Sequence, residues 1–86
     1  MDALDGNAIA GTLSVVFGEE MTTHTGTCAS CGATSAVGEF HVYLRAPGTV
    51  ARCSRCESVL MVLVEVRGMT CVDLRGLAAL ERRSDE

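Results

Sequence analysis

The sequence predicts a small α+β domain in which antiparallel β-hairpins are held by a bound metal, with an N-terminal helix packed against them. Three observations predict it: apolar residues at helical spacing near the start, alternating or β-branched runs through the rest, and two Cys-x-x-Cys pairs. At 86 residues the chain is expected to form one domain, 1–86, which buries only roughly 60–65% of the surface its unfolded form exposes. A core of that size offsets the entropy of ordering the chain narrowly, so a staple is expected.

Residues 4–20 carry the helix pattern. Asp5 can serve as N-cap, Ile9, Leu13, Val16 and Phe17 recur on one face, and Gly18 is a stop. Gly6 and Gly11 each weaken a helix by about 1 kcal/mol relative to alanine, although small residues also allow close packing. The ribbon of hairpins is assigned to residues 21–76. Met21–Thr27 is threonine-rich and fits a short strand leading into the first cysteine pair. Glu39–Leu44 alternates, with Phe40, Val42 and Leu44 on one face and Glu39, His41 and Tyr43 on the other. Ala46-Pro47-Gly48 supplies a turn, after which Thr49–Arg52 returns as the second strand of a hairpin. Val59–Val66 is a nearly unbroken aliphatic run, Arg67-Gly68 marks a tight turn, and Met69–Leu74 is a further strand. Leu77-Ala78-Ala79-Leu80 suggests a short helical tail before the charged end Glu81–Glu86, which is expected to fray.

The motif with the most chemical content is Cys28-Ala-Ser-Cys31-Gly32 followed, after 21 intervening residues, by Cys53-Ser-Arg-Cys56. Two residues between cysteines let a tight turn aim both sulfurs at one point, and two such turns make a tetrahedral S₄ site suited to zinc. A strand, a Pro-Gly turn and a return strand carry the chain out and back in the available length. Together these define a zinc ribbon with one structural zinc ion per chain, ligated by Cys28, Cys31, Cys53 and Cys56. Cys₄ sites also hold iron, but knuckles on hairpins favour zinc. Two redox dithiols are the competing reading, and they lack the helix-start βαβ setting of a thioredoxin-like site. Four cysteines fill the tetrahedron, so no position is left for a catalytic water. His24 and His41 are read as surface residues or as neighbours of the ligands. Cys71, within Met69-Thr70-Cys71-Val72, is read as a small buried hydrophobe.

Five cysteines, an odd number, together with a start that has no basic region before an apolar stretch, argue against a secreted disulfide framework. No run reaches the length of a membrane span, and the expected location is the cytoplasm with reduced thiols. The formal net charge of −4 disfavours a general nucleic-acid binder. All seven basic residues are arginine, however, and Arg45, Arg52 and Arg55 fall around the second cysteine pair, where they could form a local basic patch.

Beyond the cysteines, the chain resembles a family of short, uncharacterised bacterial proteins. The likeness lies in Leu4-Asp5-Gly6-Asn7-Ala8, the Cys-x-x-Cys-Gly pair, Ala46-Pro47-Gly48-Thr49-Val50, Arg52-Cys53-x-x-Cys56 and Asp73-Leu74-Arg75-Gly76. It implies no activity. The knuckles also look like those of zinc ribbons in transcription, translation and assembly proteins, an analogy of fold. Asn7 and the Asp73–Gly76 segment set polar groups beside glycines, as caps and turns require.

Three functional readings follow. The first is a non-enzymatic protein-interaction or regulatory module, with a protein partner or a second copy. It rests on an apolar excess in Val59–Val66, where Leu60, Val62, Val64 and Val66 alternate with Val59, Met61 and Leu63 and both faces need cover. The second is nucleic-acid binding through Arg45, Arg52 and Arg55, weakened by the absence of lysine and the few aromatic residues. The third, a thiol redox protein or metallohydrolase, finds no serine, histidine and acid arrangement to support it.

Overall fold

The computed structural model describes residues 4–45 and 48–81. Ala46 and Pro47 of the expected Ala46-Pro47-Gly48 turn and the tail 82–86 lie outside the described residues, while Gly48 is the first residue of a strand rather than part of the turn. The order of elements is strand β1 (Leu4–Asp5), a 3-10 turn at Gly6–Ile9, helix α1 (Ala10–Phe17), β2 (Thr25–Cys28), β3 (Thr34–Ala36) and a second 3-10 turn at Val37–Glu39. It continues with β4 (His41–Arg45), β5 (Gly48–Arg52), β6 (Val59–Val66), β7 (Met69–Asp73) and β8 (Leu77–Glu81). The strands form two antiparallel sheets, one of five strands in the order β1-β4-β5-β6-β7 and one of three in the order β3-β2-β8. The chain is therefore α+β, with a single short α-helix among the described residues.

The helix is shorter than the 4–20 span its periodicity suggests. Leu4 and Asp5 pair instead with Val42 and His41 of β4. Gly6 then lies so close to the second 3-10 turn that a Cβ there would stand 1.9 Å from the Val37 carbonyl oxygen. Asp5 does act as a cap, accepting the Asn7 amide, but for the 3-10 turn rather than for α1. At the other end Gly18 takes a left-handed conformation (φ 77°) and its amide closes on Ser14, as the stop signal predicts. The predicted face holds: Ile9 and Leu13 are buried, Val16 and Phe17 half-buried, and Val15 faces solvent at 85% exposure.

Residues 21–24 form a turn, with the His24 amide donating to the Met21 carbonyl, so the strand expected at 21–27 begins only at Thr25. The hairpin from β4 to β5 forms as expected, but Gly48 belongs to β5 opposite Arg45, so Val42 meets Ala51 and Tyr43 meets Val50, a register two residues tighter than a turn centred on Pro47-Gly48 would set. Arg67 and Gly68 both have positive φ (53° and 78°), a type I′ turn that sets Val66 opposite Met69.

Leu77–Glu81 is a strand, not a helical tail. Alanine and leucine favour helix locally, but β2 has an open edge whose amides and carbonyls need partners, and β8 supplies them from Thr25–Glu81 through Cys28–Leu77. Leu77 and Leu80 also pack against the core in that position. Tertiary pairing overrides propensity here.

The core is one cluster containing Ile9, Leu13, Met21, Val37, Phe40, Val42, Ala51, Leu60, Met61 and Leu63, with Cys28 and Cys53 at its edge. Phe40 reaches across to β2, where Gly26 leaves room for its ring. A register shift between Ala51 and Arg52 places Ala51 against Met61 and Arg52 against Val59, so Leu60 is the extra residue of a bulge. The strict alternation predicted for β6 breaks at that point. Leu60, Met61 and Leu63 are all buried within the chain.

Candidate metal centre

The first cysteine pair sits on the turn joining β2 to β3 in the small sheet, and the second on the turn joining β5 to β6 in the large sheet. The two turns are built alike. In the first, the Cys28 amide donates to the Ala33 carbonyl (2.8 Å) and the Gly32 amide to the Cys28 carbonyl (2.9 Å). In the second, the Cys53 amide donates to the Ser58 carbonyl (2.9 Å) and the Glu57 amide to the Cys53 carbonyl (2.9 Å). The amides of Ser30 and Cys31 point at Cys28 Sγ (both 3.4 Å), and that of Arg55 points at Cys53 Sγ (3.3 Å). Such donors stabilise thiolates.

The four sulfurs of Cys28, Cys31, Cys53 and Cys56 all lie within 4.8 Å of one another, and the chain has no disulfide among its free cysteines. Cys28–Cys56 and Cys31–Cys53 are each separated by 3.6 Å. A tetrahedral ion with metal–sulfur bonds of about 2.3 Å requires sulfur–sulfur separations near 3.8 Å, so the donors fit a bound metal ion. Cys28 and Cys53 are buried, while Cys31 and Cys56 are exposed. In the bare cluster the sulfurs differ in acidity. The Ser58 hydroxyl and amide draw the Cys56 thiol down to about 6. Cys31 receives a lowering contact from the Ala33 backbone, yet burial and its sulfur neighbours Cys53, Cys56 and Cys28 push it up to about 11. Four thiols this close resist full ionisation until a cation compensates them.

One functional-looking cluster was not singled out from the sequence. Glu57 follows Cys56 and has φ 65°, the left-handed position that Gly32 (φ 78°) fills in the first knuckle. Its carboxylate meets His41 Nδ1 at 2.6 Å and accepts the Tyr43 hydroxyl at 3.1 Å, and its carbonyl accepts Arg52 Nη1 at 2.9 Å. The Arg52 guanidinium also lies 5.7 Å from the Tyr43 ring centroid. His41 is the main cause holding the Glu57 carboxyl below its ordinary range. The sequence signal was a non-glycine at a position where the first knuckle has glycine.

The two histidines are not ligands of the cluster, which comprises cysteines alone. His41 sits on β4 beside the second knuckle, as expected. His24 is buried rather than at the surface, with Nε2 3.9 Å from a Glu19 carboxylate oxygen, because the turn at 21–24 folds it beneath the chain. Cys71 is exposed, contrary to the buried reading, since β7 ends the large sheet and has no strand beyond it among the described residues.

The three arginines stand at different places on the backbone. Arg52 pairs in register with His41 at the knuckle end of the β4–β5 hairpin, and Arg45 pairs with Gly48 at the opposite end, about 13 Å away along the strand. Arg55 lies on the exposed second knuckle.

The Asp73–Gly76 segment ties the two knuckles together. The Gly76 carbonyl accepts the Ala29 amide of the first knuckle (3.0 Å). A Cβ on Gly76 would stand 1.8 Å from the carbonyl oxygen of Val59, just past the second knuckle, so only glycine fits. Asp73 shapes the approach by accepting the Arg75 amide and pairing with its guanidinium, which holds the Asp73 carboxyl down at about 2.

A family model, the family of unknown function DUF6510, matches residues 1–85. The chain belongs to that family, and it carries within it a four-cysteine cluster positioned to bind a metal ion. No curated protein and no solved structure shows significant similarity to the chain. No helix among the described residues is long and apolar enough to cross a membrane.

Proposed function

We propose that the chain is a small structural-zinc protein of the zinc-ribbon kind, acting as a protein-interaction or regulatory module without catalysis of its own. The observation that carries the metal assignment is the convergence of four sulfurs, from turns of two different sheets, within 4.8 Å. All four donors are thiolates, which suits zinc and leaves no coordination position for a substrate or water. The ion would join the small sheet to the large one, a cross-link of the kind a core this small requires.

The interaction reading now rests on a different surface from the one the sequence suggested. Met61 and Leu63 are covered by the chain itself. What remains open is the outer face of the large sheet, where Val66 and Met69 are 49% and 68% exposed beside half-buried Val50, Val62 and Val64. The nucleic-acid alternative loses force because Arg52 is engaged by Glu57 and Tyr43 and is remote from Arg45. Titration of the purified protein with single-stranded RNA and DNA at low salt tests it. Binding that weakens steeply with salt would revive the alternative. Zinc content and tetrahedral thiolate charge-transfer bands on cobalt substitution test the metal reading, and a chain that folds without metal would overturn it.

A further inference from the structure

The fifth strand of the large sheet offers a hydrogen-bonding edge that no other strand among the described residues uses. Among the described residues β7 pairs only with β6, and Met69, Thr70, Cys71 and Val72 are all exposed. The type I′ turn at Arg67-Gly68 fixes which backbone groups point where. Its closing pair, Val66 with Met69, exchanges both bonds, so Val64–Cys71 and Val62–Asp73 do the same further along. Thr70 and Val72, opposite Glu65 and Leu63, therefore direct their amides and carbonyls outward.

Natural sheets protect such an edge with lysine, proline, a bulge or a charge set into the strand. Met69–Asp73 has no lysine, proline or bulge, its single charge is Asp73 at the far end, and its pairing with β6 is regular. The outward pattern is also self-complementary. Laid antiparallel on itself about Cys71, Thr70 meets Val72 of the copy in a hydrogen-bonded pair at both ends, and Cys71 meets Cys71 between them. Thr70 against Val72 is a β-branched pairing on the inner face, where Val72 is 39% exposed. The one charge within the strand, Asp73, falls opposite Met69, so no like charges meet across it. Arg67 and Arg75 approach beyond the strand ends, where Asp73 already neutralises Arg75.

We propose that β7 is a self-pairing edge: two copies of the chain associate antiparallel along Met69–Asp73, joining their large sheets into one across a two-fold axis at Cys71. This inference names the partner for the interaction reading above and rests on it. A five-residue strand pair falls below the roughly 1,200 Å² of a stable interface, so the association is reversible and concentration-dependent.

Light scattering coupled to gel filtration, with native mass spectrometry of the same samples, tests it. The zinc-loaded chain is expected to shift from monomer to dimer as concentration rises from about 1 μM to about 1 mM, the range of weak specific association. Val72→Pro removes an outward amide while leaving the β6 bonds of residues 69, 71 and 73 in place, and it is expected to stay monomeric with its metal bound. Cys71→Glu sets two carboxylates opposite each other and should raise the midpoint at least about tenfold, while Cys71→Ser should not. A chain that remains monomeric throughout, or a dimer that neither Val72→Pro nor Cys71→Glu weakens, overturns the proposal. The metal content in the same spectra separates its failure from failure of the zinc reading.

Discussion

The second knuckle shows what a single side chain contributes against its own backbone. A non-glycine residue in the left-handed region costs on the order of 1 kcal/mol, and the first knuckle avoids that cost with Gly32. Glu57 accepts it and gains contacts to His41 and Tyr43 on β4, with its own carbonyl held by Arg52 on β5. The two terms oppose each other, so substitutions separate them. Glu57→Gly loses the carboxylate contacts and relieves the strain, and its melting temperature should stay within a few degrees of the parent. Glu57→Ala loses the contacts and keeps the strain, so it should melt several degrees below Glu57→Gly. The reverse order in a thermal melt would mean that the left-handed backbone at position 57 carries no strain.

Among the elements, those set by local signals were legible in the sequence. The Ile9, Leu13, Val16 and Phe17 face, the Gly18 stop, the pairing of β4 with β5 and the Arg67-Gly68 turn follow from periodicity and turn chemistry. The gathering of Cys28, Cys31, Cys53 and Cys56 was legible because two-residue spacing encodes a knuckle directly. What escaped depends on distant partners. Leu4–Asp5 is drawn into the sheet by β4, Leu77–Glu81 becomes a strand to satisfy β2, and the Leu60 bulge takes Val59 and Leu60 out of the alternation that the rest of β6 keeps. Glycines divide in the same way. Gly76 is required by the approach of Val59, and Gly76→Ala is expected to cost about 3 kcal/mol or more, since backbone would have to move. Gly11 has nothing within 4 Å of where its Cβ would lie, and Gly11→Ala inside α1 should stabilise by about 0.5–1 kcal/mol. Urea midpoints of the two variants check both signs.

For the whole molecule, the main consequence is that the four-cysteine cluster, the candidate metal centre, lies at the junction of two sheets. Each sheet contributes one knuckle, and the Asp73–Gly76 segment crosses between them, so loss of the ion would separate the layers as well as free a loop. Chelation should therefore unfold the domain cooperatively. Structural zinc contributes on the order of 10 kcal/mol in small metal-dependent domains, which is comparable to the entire stability of a chain this size. Cys28→Ser and Cys56→Ser should behave like the chelated protein, one ligand being buried and the other exposed. Cys71→Ser, remote from the cluster on β7, should retain full metal content. Circular dichroism with metal analysis of the three variants distinguishes ligand loss from general damage at cysteine positions.

The most direct test is native mass spectrometry of the purified protein, set beside a denatured spectrum of the same sample. The expected result is one zinc ion per chain in the native spectrum and five reduced thiols in the denatured one. A metal-free chain carrying two disulfides, or full zinc occupancy in Cys28→Ser, would contradict the four-thiolate junction on which the fold and its proposed role depend.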